Sequence, residues 1–364
     1  MTQKLASYAC GQWFRSESEG QVLYDASYQK AIASISSEGL KVGEMLRYGR
    51  EVGGKALRKL NFHERALLLK KLASYLLERK EAYYELSYTT GATRYDGWVD
   101  IEGGIGTLFS YASLVRRELP NEHFLTEGEA ERLSRAGSFW GRHLLVPKEG
   151  VVLHINAFNF PCWGMLEKLA PTLAAGMPAI IKPASATAYL TERIFQDIIA
   201  SEILPEGAVQ LICGSTHDIF DHLREEDVVT FTGSAQTGRK LKSHPNILEH
   251  SIPFNMEADS LNAIILGESV EETSPEFDLF IKEVAKEMTV KAGQKCTAIR
   301  RIIVPKRRVE VVSEALRGRL LGWWWGSTAR AHPHGAPSQP SQAQEVQENL
   351  SLLCQEAEII FKAP

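Results

Sequence analysis

Apolar residues recur along this chain in two rhythms. Over residues 62–92, Ala66, Leu67, Leu69, Leu72, Tyr75 and Leu76 share one face with Lys and Arg opposite, which predicts an amphipathic helix. A second helix is expected over 103–118. Before these, residues 1–60 are mixed, with Gly11-Gln12-Trp13 and the polar residues after it reading as short strands and turns, and 119–137 read as a polar loop. Residues 138–146 read as an extended arm leaving the main body.

From residue 147 short apolar runs alternate with helical stretches. Strands are expected at 151–155, 179–182, 209–213 and 228–231. Helices are expected at 163–175 (closed by Gly176), 187–201, 217–223 and from Ser234 onward. That alternation predicts βαβ units and a parallel sheet, with ligands at the C-terminal ends of its strands. Residues 255–304 start a second α/β unit, with strands at 262–266 and 300–304 around a helix at 275–291. A helix over 306–317 follows. The expected division is a domain over 1–255 and a second over 256–364.

Residues 318–342 break the rhythm. Trp323, Trp324 and Trp325 stand together among His, Pro, Ala, Gly, Ser and Arg without periodicity. Tryptophan has the single codon TGG, and a TGG run read one base out of phase encodes valine. The segment therefore reads as a local frameshift restored near Gln342, or else as a genuine Pro/Ser-rich loop.

Composition narrows the class. In 364 residues, 41 basic and 45 acidic side chains give a net charge of −4, without the clustered basic surplus of a nucleic-acid binder. Hydrophobic residues at 44% and charged residues at 24% exclude a mainly disordered chain. No apolar run reaches the length of a membrane span, and the N-terminus lacks a signal-peptide stretch. The five scattered cysteines form no CxxC pair and suit a reducing cytoplasm. No metal-ligand spacing occurs.

Four short motifs carry chemistry. Asn156-Ala157-Phe158-Asn159-Phe160-Pro161 lies between a strand and a helix. Lys182-Pro183-Ala184-Ser185 ends the next strand, and Phe231-Thr232-Gly233-Ser234-Ala235-Gln236-Thr237-Gly238 ends another. Gly293-Gln294-Lys295-Cys296-Thr297 follows the long helix. Cys162 and Cys213 fall in core patterns, and His154 reads as a hydrogen-bonded sheet histidine. By position alone Cys296 reads equally as nucleophile or structural residue. The dinucleotide fingerprint GxGxxG is absent.

In this order and spacing the motifs resemble the NAD(P)-dependent aldehyde dehydrogenase superfamily. His154 through Pro161, Met256-Glu257-Ala258-Asp259-Ser260-Leu261-Asn262 and Lys291 through Arg301 are similar to the dehydrogenases of aerobic aromatic-CoA catabolism, on the phenylacetate and benzoyl-CoA routes. The superfamily's usual Leu-Gly-Gly after the glutamate is Ala258-Asp259-Ser260 here.

The resemblance implies an α/β fold: a Rossmann-type cofactor domain with a parallel sheet, plus an α/β catalytic domain that is incomplete in this chain. It implies oxidation of a CoA-linked semialdehyde to the acid, with NADP as cofactor and NAD as the other option. Cys296 would be the nucleophile, since a thiolate attacks a carbonyl and later leaves from a thioester. The Asn159 amide and the Cys296 N–H would hold the oxyanion, an arrangement worth roughly 3–4 kcal/mol per donor. Glu257 would be the general base. Cofactor contacts would come from Ala157, Phe158, Lys182, Ser185, Gly233, Ser234 and Gly238. Gly233 would allow close backbone approach, and Ser234 at a helix start would bind pyrophosphate. NAD-preferring relatives usually place glutamate three residues after the lysine; Ser185 there would not repel a 2′-phosphate. The arm at 138–146 implies a homo-oligomer.

The family's fold is expected to continue beyond residue 364, which makes a truncated, non-catalytic dinucleotide-binding fragment the alternative. A cofactor-free thiol hydrolase is a third reading, opposed by Lys182 and Gly233-Ser234.

Overall fold

The computed structural model describes residues 3–26, 30–325 and 340–360. They form two compact units. The first comprises 1–23, 32–83 and 98–258; the second comprises 24–31, 84–97 and 259–364.

A seven-stranded sheet organises the first unit. Its spatial order is Phe254–Ala258, Val228–Gly233, Val152–Ile155, Ala179–Lys182, Val209–Leu211, Ser7–Ala9, Gln12–Phe14. The first five strands run parallel; the last two join antiparallel at one edge. The chain builds outward from Val152–Ile155 through 179–182 to 209–211. It then crosses back to lay 228–233 and 254–258 on the other side. The order therefore reverses between Val152–Ile155 and Val228–Gly233, which leaves a crevice outside their C-terminal ends.

The two faces of this sheet differ. Strand register places Leu153, Ile155, Val229, Phe231 and Ile180 on one face, in an apolar core with Met45, Leu46, Phe220 and Ile247. The opposite face carries His154, Thr230, Thr232 and Glu257. Helix Trp163–Ala174 covers it, with His154 Nε2 3.0 Å from Thr172 Oγ1 and Lys168 Nζ donating to Thr232 Oγ1 at 2.7 Å. Asp227, wholly buried, binds the sheet's entry: its carboxylate accepts from Val151 N–H at 2.7 Å, Arg224 N–H at 2.8 Å and Arg50 Nε at 3.1 Å.

The expected parallel sheet and its helices are present, including Ala188–Ala200 and Gly103–Glu118. Gly176 closes its helix at φ +81°. Two expectations are corrected. The run 62–92 is two helices, Phe62–Leu77 and Lys80–Ser87, followed by a short turn. Within the mixed N-terminal stretch, residues 42–58 are helical as Val42–Tyr48, a wide turn at Gly49–Gly54 and Lys55–Arg58. Gly53 there must lie bare against Gly207, whose carbonyl oxygen would be 1.9 Å from an added Cβ. The polar stretch 119–137 contains a strand, Leu125–Arg132, which pairs antiparallel with Trp140–Leu145. Thus the arm at 138–146 is one limb of a hairpin. Both limbs are largely solvent-exposed, so no burial signal marked the first one.

The second unit pairs strands Asn262–Ile265 and Ile299–Ile303 in parallel, with helix Pro275–Thr289 between them in sequence. Ser274 caps that helix, accepting from Phe277 N–H, and Pro275 opens it. Leu266, Phe277, Phe280, Ile281, Val284 and Val312 form this unit's core. Helix Val309–Trp325 runs past the expected end at 317 and into the segment read as aberrant, and a helix resumes at Pro340–Leu353. The remainder of that segment, 326–339, lies outside the described residues. Among the described residues no helix is long and apolar enough to cross a membrane.

Candidate active site

Two of the motif loops flank the crevice in the first unit. The loop carrying Ala157, Phe158 and Asn159 leaves the C-terminal end of Val152–Ile155. It is tied down on both sides. Thr187 Oγ1 donates to Phe158 O at 2.9 Å and Thr191 Oγ1 to Pro161 O at 3.0 Å. The buried Asp100 carboxylate takes Trp163 N–H at 2.8 Å and Cys162 N–H at 3.2 Å. Asp100 thereby caps the following helix from a distance, where Cys162 offers no cap of its own. Asn159 is half-buried in this loop.

On the adjoining strand, Gly233 ends Val228–Gly233 and Ser234 caps helix Ala235–Lys242. The Ser234 hydroxyl accepts from Thr237 N–H at 3.2 Å and is 3.0 Å from Thr237 Oγ1. Its hydroxyl therefore serves the helix itself, and the N–H groups of Ala235 and Gln236 become the outward donors of the first turn. Gly238 is buried one turn on, where an added Cβ would lie 2.6 Å from Met256 Sδ and 3.0 Å from Phe231. This glycine lets the helix approach the sheet closely.

Lys182 ends the strand beside Val152–Ile155, and its carbonyl accepts from Asn156 N–H at 3.0 Å. Its half-buried ammonium has no ion pair or hydrogen bond among the described residues, and burial lowers its pKa, with Cys213 opposing. An unpartnered cation, a helix start and a switch-point crevice fit a hydroxyl- and phosphate-bearing dinucleotide. Ser185 opens the short turn Ser185–Thr187 three residues after Lys182.

Glu257 lies on edge strand Phe254–Ala258, paired in register with Thr232, and is exposed. Lys168, which the sequence reading passed over, reaches Thr232 from the covering helix with its side chain 13% exposed. Burial lowers the Lys168 pKa, while Glu167 and Glu257 pull it back up. A lysine in the helix over a sheet face bearing Thr230 and Thr232 was the available signal. His154 is fully buried and its pKa is pushed down to about 3 by burial, with Lys168 adding to the effect; it is a neutral sheet histidine. Cys162 and Cys213 are buried core residues.

Cys296 belongs to the second unit, on an exposed stretch between helix Pro275–Thr289 and strand Ile299–Ile303. Its carbonyl accepts from Asn262 Nδ2 at 2.6 Å and from the Ser260 hydroxyl. Asn262 Nδ2 also lies 3.3 Å from Ala298 O. Lys295 pairs with Glu287 at 2.8 Å, and Arg300 Nη2 donates to Gly293 O at 2.6 Å. The approach to the cysteine is unusual: Lys291 at φ +56°, Ala292 at φ +53° and Gly293 at φ +71° are consecutively left-handed. For non-glycine residues that conformation costs about 1–2 kcal/mol each.

Residues 13–361 match the aldehyde dehydrogenase family, and the chain belongs to it, an enzyme class that oxidises aldehydes. The chain is 42% identical over 361 residues to a 3,4-dehydroadipyl-CoA semialdehyde dehydrogenase of Aromatoleum evansii, covering 98% of this chain and 70% of that protein. It is 25% identical over 331 residues to an NADP-dependent glyceraldehyde-3-phosphate dehydrogenase of Streptococcus equinus, covering 88% of this chain and 66% of that protein. Its fold matches betaine aldehyde dehydrogenase of Staphylococcus aureus in complex with NAD+ at TM-score 0.83 and 20% identity, over 98% of this chain and 70% of that one.

Proposed function

We propose that this enzyme oxidises a CoA-linked semialdehyde from aromatic-compound degradation to the carboxylic acid, using NADP. The observation that carries the substrate class is the 42% identity to a dehydrogenase of such a semialdehyde. The motifs assign the roles. Cys296 thiolate attacks the aldehyde carbon, and the oxyanion of the resulting thiohemiacetal takes hydrogen bonds from the Asn159 amide and the Cys296 N–H. When bound, NADP would supply the acceptor for the hydride that this carbon must lose for Cys296 to be left as a thioester. Glu257 takes the proton of the thiol, passes it to solvent, and later takes that of the hydrolytic water, releasing the acid and free Cys296.

Lys182 and Ser185 would hold the adenosine ribose and its 2′-phosphate, while Gly233, Ser234 and the first turn after them would hold the pyrophosphate. Ala157 and Phe158 line the crevice beside them, and Gly238 sets the helix depth. Ser185 in place of a carboxylate favours NADP over NAD. Five free cysteines suit a reducing cytoplasm, and exposed Phe139, Trp140 and Leu144 on the hairpin suit a homo-oligomer.

The test is NADPH formation by the purified chain with 3,4-dehydroadipyl-CoA semialdehyde, beside a free aliphatic aldehyde. The CoA thioester is the expected preferred substrate, and Cys296→Ala is expected to abolish turnover while NADP binding persists. Turnover in Cys296→Ala, or equal use of the free aldehyde, overturns the proposal.

A further inference from the structure

Asp96 and Cys296 are 200 positions apart, yet one buried hydrogen bond ties their segments together within the second unit. Asp96 Oδ1 accepts from Lys291 N–H at 2.7 Å. Its Oδ2 accepts from Thr93 N–H at 2.9 Å and Thr93 Oγ1 at 2.7 Å, which fixes the carboxylate's direction. Asp96 is 2% exposed and Lys291 6%. The bonded N–H belongs to the first of the three left-handed residues that lead to Cys296.

Two of those residues have side chains, so the loop does not favour this path by itself. Something outside it must hold it there. Downstream, the Cys296 carbonyl is held by Asn262 and Ser260. Upstream, the Asp96 side chain, brought from elsewhere in the chain, fastens the backbone where it turns left-handed. A carboxylate accepting a buried N–H is a strong, direction-specific bond, suited to opposing local strain.

We infer that Asp96 is a positioning residue for the nucleophile: it clamps the backbone at Lys291 so that the loop keeps its left-handed course and presents Cys296 at a fixed place. This rests on the reading of Cys296 as nucleophile. Asp96 touches neither substrate nor cofactor in this role. Its loss acts through the placement of the sulfur, and a misplacement of about 1 Å costs about 100-fold in rate.

The experiment compares wild type, Asp96→Ala and the double variant Asp96→Ala/Ala292→Gly in the full chain. It measures kcat, KM and the rate of Cys296 alkylation by iodoacetamide, read by peptide mass spectrometry. Asp96→Ala is expected to lower kcat and the alkylation rate by about tenfold or more, with KM within about twofold of wild type. Glycine accepts φ +53° without strain, so Ala292→Gly is expected to recover most of both losses. A purely structural role for Asp96 in the 93–97 turn would give no such recovery. Failure of recovery, or an unchanged alkylation rate in Asp96→Ala, overturns the inference. Should Asp96→Ala not fold, hydrogen exchange at the wild-type Lys291 amide decides: protection is expected, and a freely exchanging amide overturns it. Turnover persisting in Cys296→Ala would instead sink the nucleophile reading, whatever Asp96 does.

Discussion

Replacing His154 with glutamine is expected to remove a specific acid sensitivity of the first unit. His154 sits on Val152–Ile155 between the sheet and helix Trp163–Ala174, with Nε2 on Thr172 Oγ1 and Nδ1 buried without a partner. Its pKa falls from the ordinary 6.5 to about 3, first because burial penalises the imidazolium and second because the Lys168 ammonium is nearby. Above pH 6.5 the ring is neutral in both folded and unfolded chains and contributes no pH dependence. Below 6.5 the unfolded chain takes up a proton that the folded chain refuses, so stability falls as pH falls, until the folded ring titrates near 3. Each unit is worth about 1.36 kcal/mol, so lowering the pH from 6.5 to about 5 removes about 2 kcal/mol, and the whole interval about 5 kcal/mol. His154→Gln retains a partner for Thr172 and has no proton to gain. Urea unfolding of both proteins across this range measures the difference, and hydrogen exchange at the Leu153 and Ile155 amides assigns the transition to the first unit. Carboxylate titrations are common to the two proteins and cancel. A stability gap that stays within about 0.5 kcal/mol from pH 6.5 to 5 would refute the reasoning, because a buried neutral imidazole cannot avoid this linkage.

Two further outcomes follow from the same packing. Asp227→Ala leaves the Arg50 charge and the Val151 and Arg224 N–H groups without their acceptor, and is expected to destabilise the first unit by about 3–5 kcal/mol in urea unfolding; a loss below about 1 kcal/mol would contradict the buried clamp. Ser185→Glu places a carboxylate where the 2′-phosphate is proposed to sit and is expected to weaken NADP binding by about tenfold or more while sparing or strengthening NAD; titration by cofactor fluorescence checks it, and an unchanged preference removes Ser185 from the specificity argument.

Much of the candidate site was legible from one dimension because its signals are local. A strand followed by Asn159 before Phe-Pro, a strand ending in Lys182, and a strand ending in Gly233-Ser234 before a helix are each contained within about ten residues of periodic pattern. Alternation of such units dictates a parallel sheet, and a parallel sheet dictates that these loops emerge at one edge. Family membership rides on the same motifs. Hence Asn159, Lys182, Ser185, Gly233 and Ser234 could be named, and placed at strand ends, before any coordinate was known.

What tertiary structure alone decided depends on partners far away in the chain. The strand Leu125–Arg132 is polar on both faces and exists through pairing with Trp140–Leu145, so no hydrophobic period announced it. Asp100 and Asp96 look like ordinary solvated acids in sequence. They become anchors only when folding sets Asp100 against Trp163 N–H and Asp96 against Lys291 N–H. Lys168 reads as the polar edge of a helix until the sheet places Thr232 beneath it. The left-handed run at Lys291 and Ala292 runs against residue preference altogether. Local propensity sets which elements form, because backbone sterics and side-chain period act over a few residues. The direction of a buried carboxylate or ammonium is set by desolvation, which favours a partner wherever the fold supplies one, as it does for Asp96, Asp100 and Lys168.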